Sequence, residues 1–304
     1  MRISTNSIFE TGTARLNELQ AALDKTMKQV STGRRVLTPS EDPIASARAL
    51  DVSQSQSINS QYSVNRRNAE SSLSLAESTL AGVTGALQDA KTLIVNAGNG
   101  SFSDNDRKSV AVELRSRFDQ LLALANTADG SGNYLFSGYA IGTAPFVKST
   151  TGAQYQGDQG QRLLQVDASR RMATSDNGQA IFQNNGQDVF HTLANAITAL
   201  EKPAGTPAER TALSVGLAEA NKGFDQLLEN VLAVRASIGS RLREIDSLEN
   251  VGSAKDLNYQ QTLSDLQDLD YNAAISQFTK QQTILQAAQK TFTSVSELSL
   301  FNYI

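Results

Sequence analysis

The chain has 304 residues with no Cys, no Trp and one His, 39% hydrophobic and 19% charged, and a formal net charge of −4. No disulfide framework and no Cys/His metal site can be built from it. The acidic balance, with only isolated basic pairs at Arg34-Arg35, Arg66-Arg67 and Arg170-Arg171, argues against a dedicated nucleic-acid binder. The opening MRISTNSIFETG lacks the basic and apolar regions of a Sec-type signal peptide. No apolar run approaches the ~20 residues that a spanning helix needs. The expectation is a soluble protein that, if exported, leaves by another route.

Phe9, Leu16, Leu19, Leu23, Met27 and Val30 recur at helical spacing and predict an amphipathic helix with a narrow apolar stripe. Gly33 is its natural stop, because glycine accepts the left-handed conformation past a helix end. The next helix starts near Pro43, with Asp42 as its cap and Glu41 adding favourable charge. It carries Ala69, Leu73, Ala76, Leu80, Val83, Leu87, Ala90, Ile94 and Ala97 in steps of three and four, a heptad-like seam. NAGNGSFSDND breaks it, and Asp104 can cap a helix with Val110, Leu114, Phe118, Leu121 and Ala125 on one side.

The middle changes character. GNYLFSGY reads as a strand with Tyr134 and Phe136 on one face and Leu135 on the other. YQGDQGQRLLQVDA reads as a hairpin with Leu164, Val166 and Ala168 on one face and turn chemistry at Gly157-Asp158 and Gly160; a further turn falls at Asp176-Asn177-Gly178. Helix returns in VFHTLANAITALE, and KPAGTP ends it. A long seam follows through Leu217, Ala220, Phe224, Leu227, Val231, Val234, Ile238, Leu242, Ile245 and Leu248. The last segment, from about residue 257, repeats Ala274, Phe278, Leu285, Ala288, Phe292 and Val295.

The fold class is therefore mainly α with a small β-rich insertion. Its N- and C-terminal segments form an antiparallel long-helix coiled-coil bundle. Three parts are expected: 1–42 with 265–304, 43–135 with 188–264, and a β-rich module at 136–187.

No constellation of residues carries chemistry well. STGRR lacks the phosphate-loop pattern and follows a helix rather than a strand, so it reads as a helix end with basic residues at the negative pole. His191 has neither nucleophile nor orienting acid nearby in sequence. Asp104 to Arg107 and the group Asp265, Asp268 and Asp270 miss the EF-hand spacing; the first reads as a cap and the second as a solvated helix face. No catalytic, cofactor-binding or metal-binding residue is assigned.

The two ends are the unusual feature. Leu298, Leu300, Phe301, Tyr303 and Ile304 make the last residues apolar, whereas chain ends are ordinarily polar and frayed. Ordering a residue costs about 1–2 kcal/mol of backbone entropy. Burying one large apolar side chain returns about 1.5–3 kcal/mol. A helix with one such side chain every three or four residues therefore breaks even at best on a single partner. Both ends read as a sticky hairpin that gains stability when other chains cover it.

The N-terminal stripe followed by QVSTGRRVLTPSEDPIASARAL, together with the ending ISQFTKQQTILQAAQKTFTSVSELSLFNYI, resembles the flagellin superfamily of bacterial axial proteins. GNYLFSGY, YQGDQGQR and DNGQAIF are similar to the branch that sits where hook meets filament; Ile44 after Asp42-Pro43 departs from the commoner small residue. The resemblance implies a structural, non-enzymatic protein without cofactors. It implies export through the flagellar type III channel without a cleaved signal, and an extracellular place in the flagellum. The terminal segments would be disordered in the free monomer and fold on assembly. The implied partners are further copies of itself, the first hook-associated protein on the hook side, flagellin on the filament side, and an export chaperone holding the C-terminal helix. The main filament subunit is the alternative, and a secreted enzyme on a helical stalk a more distant one.

The residues expected to carry assembly are Leu16, Leu19, Leu23, Met27, Val30, Phe278, Leu285, Phe292, Leu298, Leu300 and Phe301. Gly33, Arg34, Arg35, Pro39, Asp42 and Pro43 are expected to form a connector between tube layers, with Arg34 and Arg35 meeting carboxylates or helix C-termini of neighbouring subunits.

Overall fold

The computed structural model describes residues 2–184 and 186–300, with the side chains of 2–6, 8 and 296–300 outside the description. The helices are α1 (Arg2–Thr32), α2 (Pro43–Ala97), α3 (Asp104–Ala125), α4 (Gly178–Phe182), α5 (Val189–Glu201), α6 (Pro207–Gln267) and α7 (Tyr271–Leu300). The strands are β1 (Phe146–Ser149), β2 (Gly152–Tyr155), β3 (Leu163–Asp167), β4 (Arg170–Ala173), β5 (Gln183–Asn184) and β6 (Gln187–Asp188). The fold is mainly α with a small β insertion, as the periodicities predict. The chain divides into two compact units, Met1–Ile58 with Ala254–Ile304, and Asn59–Ser253. α2 and α6 each contribute a segment to both.

In the unit formed by Asn59–Ser253, α2, α3, α5 and α6 enclose one core. The predicted α2 seam from Ala69 to Ala97 is buried throughout, against Leu114 and Leu121 of α3, Leu193 and Leu200 of α5, and Phe224, Val231 and Ile238 of α6. Ser103 caps α3 in a reciprocal box with Asp106, whose carboxyl is held below the usual range by the Ser103 hydroxyl and amide. The cap therefore lies one residue earlier than Asp104, which instead pairs with Arg107. Five phenylalanines, Phe118, Phe136, Phe146, Phe182 and Phe190, tie the insertion to the helices; Phe146 lies 5.0 Å from Phe190, and Phe118 meets Phe190 edge-on at 5.5 Å.

The insertion differs from the sequence reading in three places. It contains three separate antiparallel pairs, β1-β2, β3-β4 and β5-β6. The expected hairpin across YQGDQGQR is absent: β2 pairs back to β1, β3 pairs forward to β4 with a bulge between Gln165 and Asp167, and Ala168 lies in the turn after β3. Asn177 caps the short helix α4 rather than occupying a turn.

GNYLFSGY is not a strand. Gly132 and Gly138 adopt φ of 83° and 72°, so the chain bends at both ends, and only Tyr134 makes a ladder contact, with Ala128. Leu135 and Phe136 are both buried, with no strand ladder at either. The segment is pinned by side chains the pattern did not show. The Asp158 carboxylate accepts from the Tyr139 amide at 2.9 Å and the Gly160 amide at 2.7 Å, which hold it below the usual carboxylate range. The Tyr155 hydroxyl lies 3.0 Å from the Phe136 carbonyl and 2.7 Å from that of Asp158.

In the other unit, α1 and α7 pack antiparallel: Phe9 meets Phe292 with tilted rings at 5.2 Å, and at the opposite end the Gly33 carbonyl accepts from the Leu269 amide at 3.0 Å. The final helical segment begins at Tyr271, not near 257. Asp268 and Asp270 form the break before it rather than a solvated helix face, and Asp270 caps α7 by accepting from the Asn272 and Ala273 amides.

Candidate assembly surface

The α1–α7 pair is the candidate surface, because there the apolar pattern and its coverage part company. The seam follows Leu16, Leu19, Leu23, Thr26 and Val30 on α1, in steps of three and four. Thr26 is the most buried of these at 3% exposed, its hydroxyl donating to the Ala22 carbonyl at 3.1 Å. Met27, the apolar residue the sequence pattern selects, lies outside the seam and is 60% exposed. Thr26 was hidden because a threonine reads as polar; the heptad count alone would have found it.

On α7 the seam takes Ala274, Phe278, Gln281, Leu285, Ala288 and Phe292. Ala274 and Leu285 are buried, while Phe278 and Phe292 are only half-buried. Gln281 was not anticipated, and its side-chain carbonyl is buried without a partner. Gly12 admits Phe292: a Cβ at that position would sit 2.7 Å from its ring. Phe9, Ile275, Ile284 and Val295 stay largely exposed, so each helix presents apolar side chains that its partner does not cover. Leu298 and Leu300 lie in α7 with side chains outside the described residues, and Phe301 lies outside them altogether.

The connector is built from short-range satisfaction of polar groups. Gly33 ends α1 at φ 69° and donates to the Gln29 carbonyl at 2.9 Å. Arg35 donates its amide to the Gln267 carbonyl at 2.8 Å and its guanidinium to the Leu266 carbonyl at 2.9 Å, at the C-terminal end of α6. It also reaches Asp42 at 3.4 Å. Arg35 thus finds a helix C-terminus and a carboxylate within its own chain, because the α6–α7 break brings those groups beside it. Arg34 bridges Asp268 through the backbone and leaves its side chain exposed. Glu41 accepts from the Leu37 amide at 3.0 Å and pairs with Lys25; the Leu37 bond, foremost, keeps its carboxyl below the usual range. Pro39 is exposed in the turn, Asp42 accepts from the Ala45 amide at 3.0 Å, and Pro43 opens α2.

Other candidates resolve into structure. The His191 ring nitrogen Nδ1 lies 3.1 Å from the Thr151 carbonyl, tying α5 to the β1-β2 turn. Among the described residues no group of three His, Cys, Asp or Glu side chains could hold a metal ion, and no helix is long and apolar enough to cross a membrane.

A long α-helical chain whose two ends pair is the architecture of flagellin-type proteins, and the bacterial flagellin N-terminal and C-terminal helical regions match residues 3–140 and 222–304. Flagellar hook-associated protein 3 of Escherichia coli K12 is 42% identical over 315 residues, covering 99% of both chains, and that of Salmonella typhimurium LT2 is 41% identical with the same coverage. A putative flagellar hook-associated protein from Vibrio parahaemolyticus superposes with a TM-score of 0.68 at 28% identity, over 75% of this chain and all of that one. The Listeria monocytogenes flagellin aligns over 99% of this chain at only 24% identity. The chain belongs to the flagellar hook-associated protein 3 family, a branch of the flagellin-type structural proteins of the bacterial flagellum.

Proposed function

We propose that this protein joins the hook to the filament, polymerising through α1 and α7. The observation that carries the reading is the unfinished coverage of that helix pair: Phe9, Met27, Ile275 and Ile284 stay exposed, and Leu16, Leu19, Leu23, Phe278 and Phe292 of the seam are only half-buried. Neighbouring copies would complete the burial. The same reading places the protein outside the cell, with the first hook-associated protein on one side and flagellin on the other, and an export chaperone holding α7 before assembly. It includes export without a cleaved signal and no catalysis. It divides the chain into three parts, 1–42 with 265–304, 43–135 with 188–264, and 136–187, with residues 33–43 as the connector.

A chain ending at Ala274 tests it. Cells carrying that chain should shed flagellin as unpolymerised monomer, while the purified truncated protein keeps the cooperative unfolding of its central helices. Filament growth on the truncated protein would refute the reading. A strain lacking the protein separates it from the filament-subunit alternative: flagellin still appears in the medium if this chain is a junction, and disappears if this chain is the filament protein.

A further inference from the structure

The two larger strand pairs of the insertion are held by different means. β1-β2 is seated by Phe146 and Ala153 in the phenylalanine cluster. β3-β4 buries only Val166 and Met172 and leaves Leu163 exposed. Its backbone carbonyls are instead gripped from the long helices. Asn65 donates to the Gln165 carbonyl at 2.7 Å, Arg66 to that of Val166 at 3.0 Å, and Arg241 to that of Ala173 at 2.9 Å.

Ion pairs surround these grips. Arg170 of β4 holds Glu244 through two bonds of 2.5 and 2.8 Å, and Arg241 holds Asp176 at 2.5 Å. Arg66 is 1% exposed and is the hub: Nε binds Glu249 at 2.5 Å, Glu249 also accepts from Ser63 at 2.9 Å, and Nη2 is buried without a partner. The guanidinium lies against Gly252, where a Cβ would come within 3.0 Å of its central carbon and closer still to Nη2. Arg170 holds the Glu244 carboxyl below the usual range; Glu249 stays low although burial pushes it up, because Arg66 and Ser63 outweigh that.

We infer that β3-β4 is a releasable arm, latched to α2 and α6 through Arg66 and able to detach while the helical bundle stays folded. Polar grips on carbonyls are directional and few, and Arg66 is the fully buried one; losing it strips the hold on Val166 and frees Glu249, leaving Asn65, Arg241, the Arg170–Glu244 pair and two core side chains to retain the arm. A two-stranded hairpin alone is marginal in water, so a detached arm also frays. The inference stands whatever α1 and α7 bind.

Hydrogen exchange on the full-length chain tests it with three substitutions that reach the hub differently. R66M removes the cation, E249Q removes its partner charge without changing shape, and G252A adds one methyl on another helix that displaces the guanidinium. Amides of residues 163–173 should exchange at least tenfold faster in each, with α3 and α5 amides at wild-type rates. Unchanged exchange in the arm overturns the inference. So does equal acceleration in α3 and α5, which would make arm and bundle one cooperative unit. If R66M fails to fold, the two milder substitutions decide the matter.

Discussion

The bundle of Asn59–Ser253 and the α1–α7 pair use the same sequence device and reach different ends. Both space their apolar residues in steps of three and four. In the bundle, four helices surround the stripe, and Leu73, Leu80, Leu87 and Ile94 of α2 are all essentially inaccessible. In the terminal pair there are two helices, and two cylinders touch along one line, so side chains flanking that line stay open whatever their chemistry. Leu16, Leu19 and Leu23 are therefore only half-buried although their pattern is as regular. The number of helices sharing a core, more than the hydrophobicity of any one, separates a finished core from an unfinished one.

The largest effects fall in the finished core. L87A should destabilise the purified protein by about 2–5 kcal/mol, read by urea unfolding, because a cavity in an enclosed layer cannot collapse. L285A removes the same atoms from the α7 seam but should cost about 1–2 kcal/mol, because an open pair relaxes around the loss. It should shift the melting of terminal-helix signal and leave the main transition in place. Equal costs at the two positions would break the comparison.

A smaller effect falls at the connector. Gly33 holds φ 69°, and its missing Cβ leaves room for the Tyr271 hydroxyl, which a methyl would meet at 2.8 Å. An L-residue in that conformation costs about 1–2 kcal/mol. G33A should thus lower the stability of the α1–α7 pair by that amount and leave urea unfolding of the bundle unchanged. A bundle transition that moved with it would show the two to be coupled.

The helices and their seams were legible because both obey the 3.6-residue period and the seams were long. Gly33 and the Asp42-Pro43 restart were legible because stop and start residues act locally. GNYLFSGY was not: its shape is set by Asp158, Tyr155 and two left-handed glycines, and no local period encodes a carboxylate some 20 residues away. The arm's latch was equally hidden, since Arg66 and Glu249 lie 183 positions apart and each looks like a solvated charge in its own helix. The end of α6 was missed for a different reason. Asp270 ahead of Tyr271 is an ordinary cap signal, overlooked inside a run that read as continuous helix.

Thr26 and Met27 give the smallest effect on the free chain and the most informative one. Adjacent residues point about 100° apart on a helix, so the seam can take only one of them, and it takes Thr26. Met27 contributes little to the monomer: M27S should change its stability by no more than about 0.5 kcal/mol, as for other surface positions. If neighbouring copies finish the burial that α7 leaves undone, the same substitution should still raise the concentration needed for polymerisation, measured by sedimentation at fixed salt. T26S should do the reverse, loosening the monomer's seam while leaving the outer apolar stripe intact. Unchanged polymerisation in M27S would mean that the exposed stripe is not what copies bury.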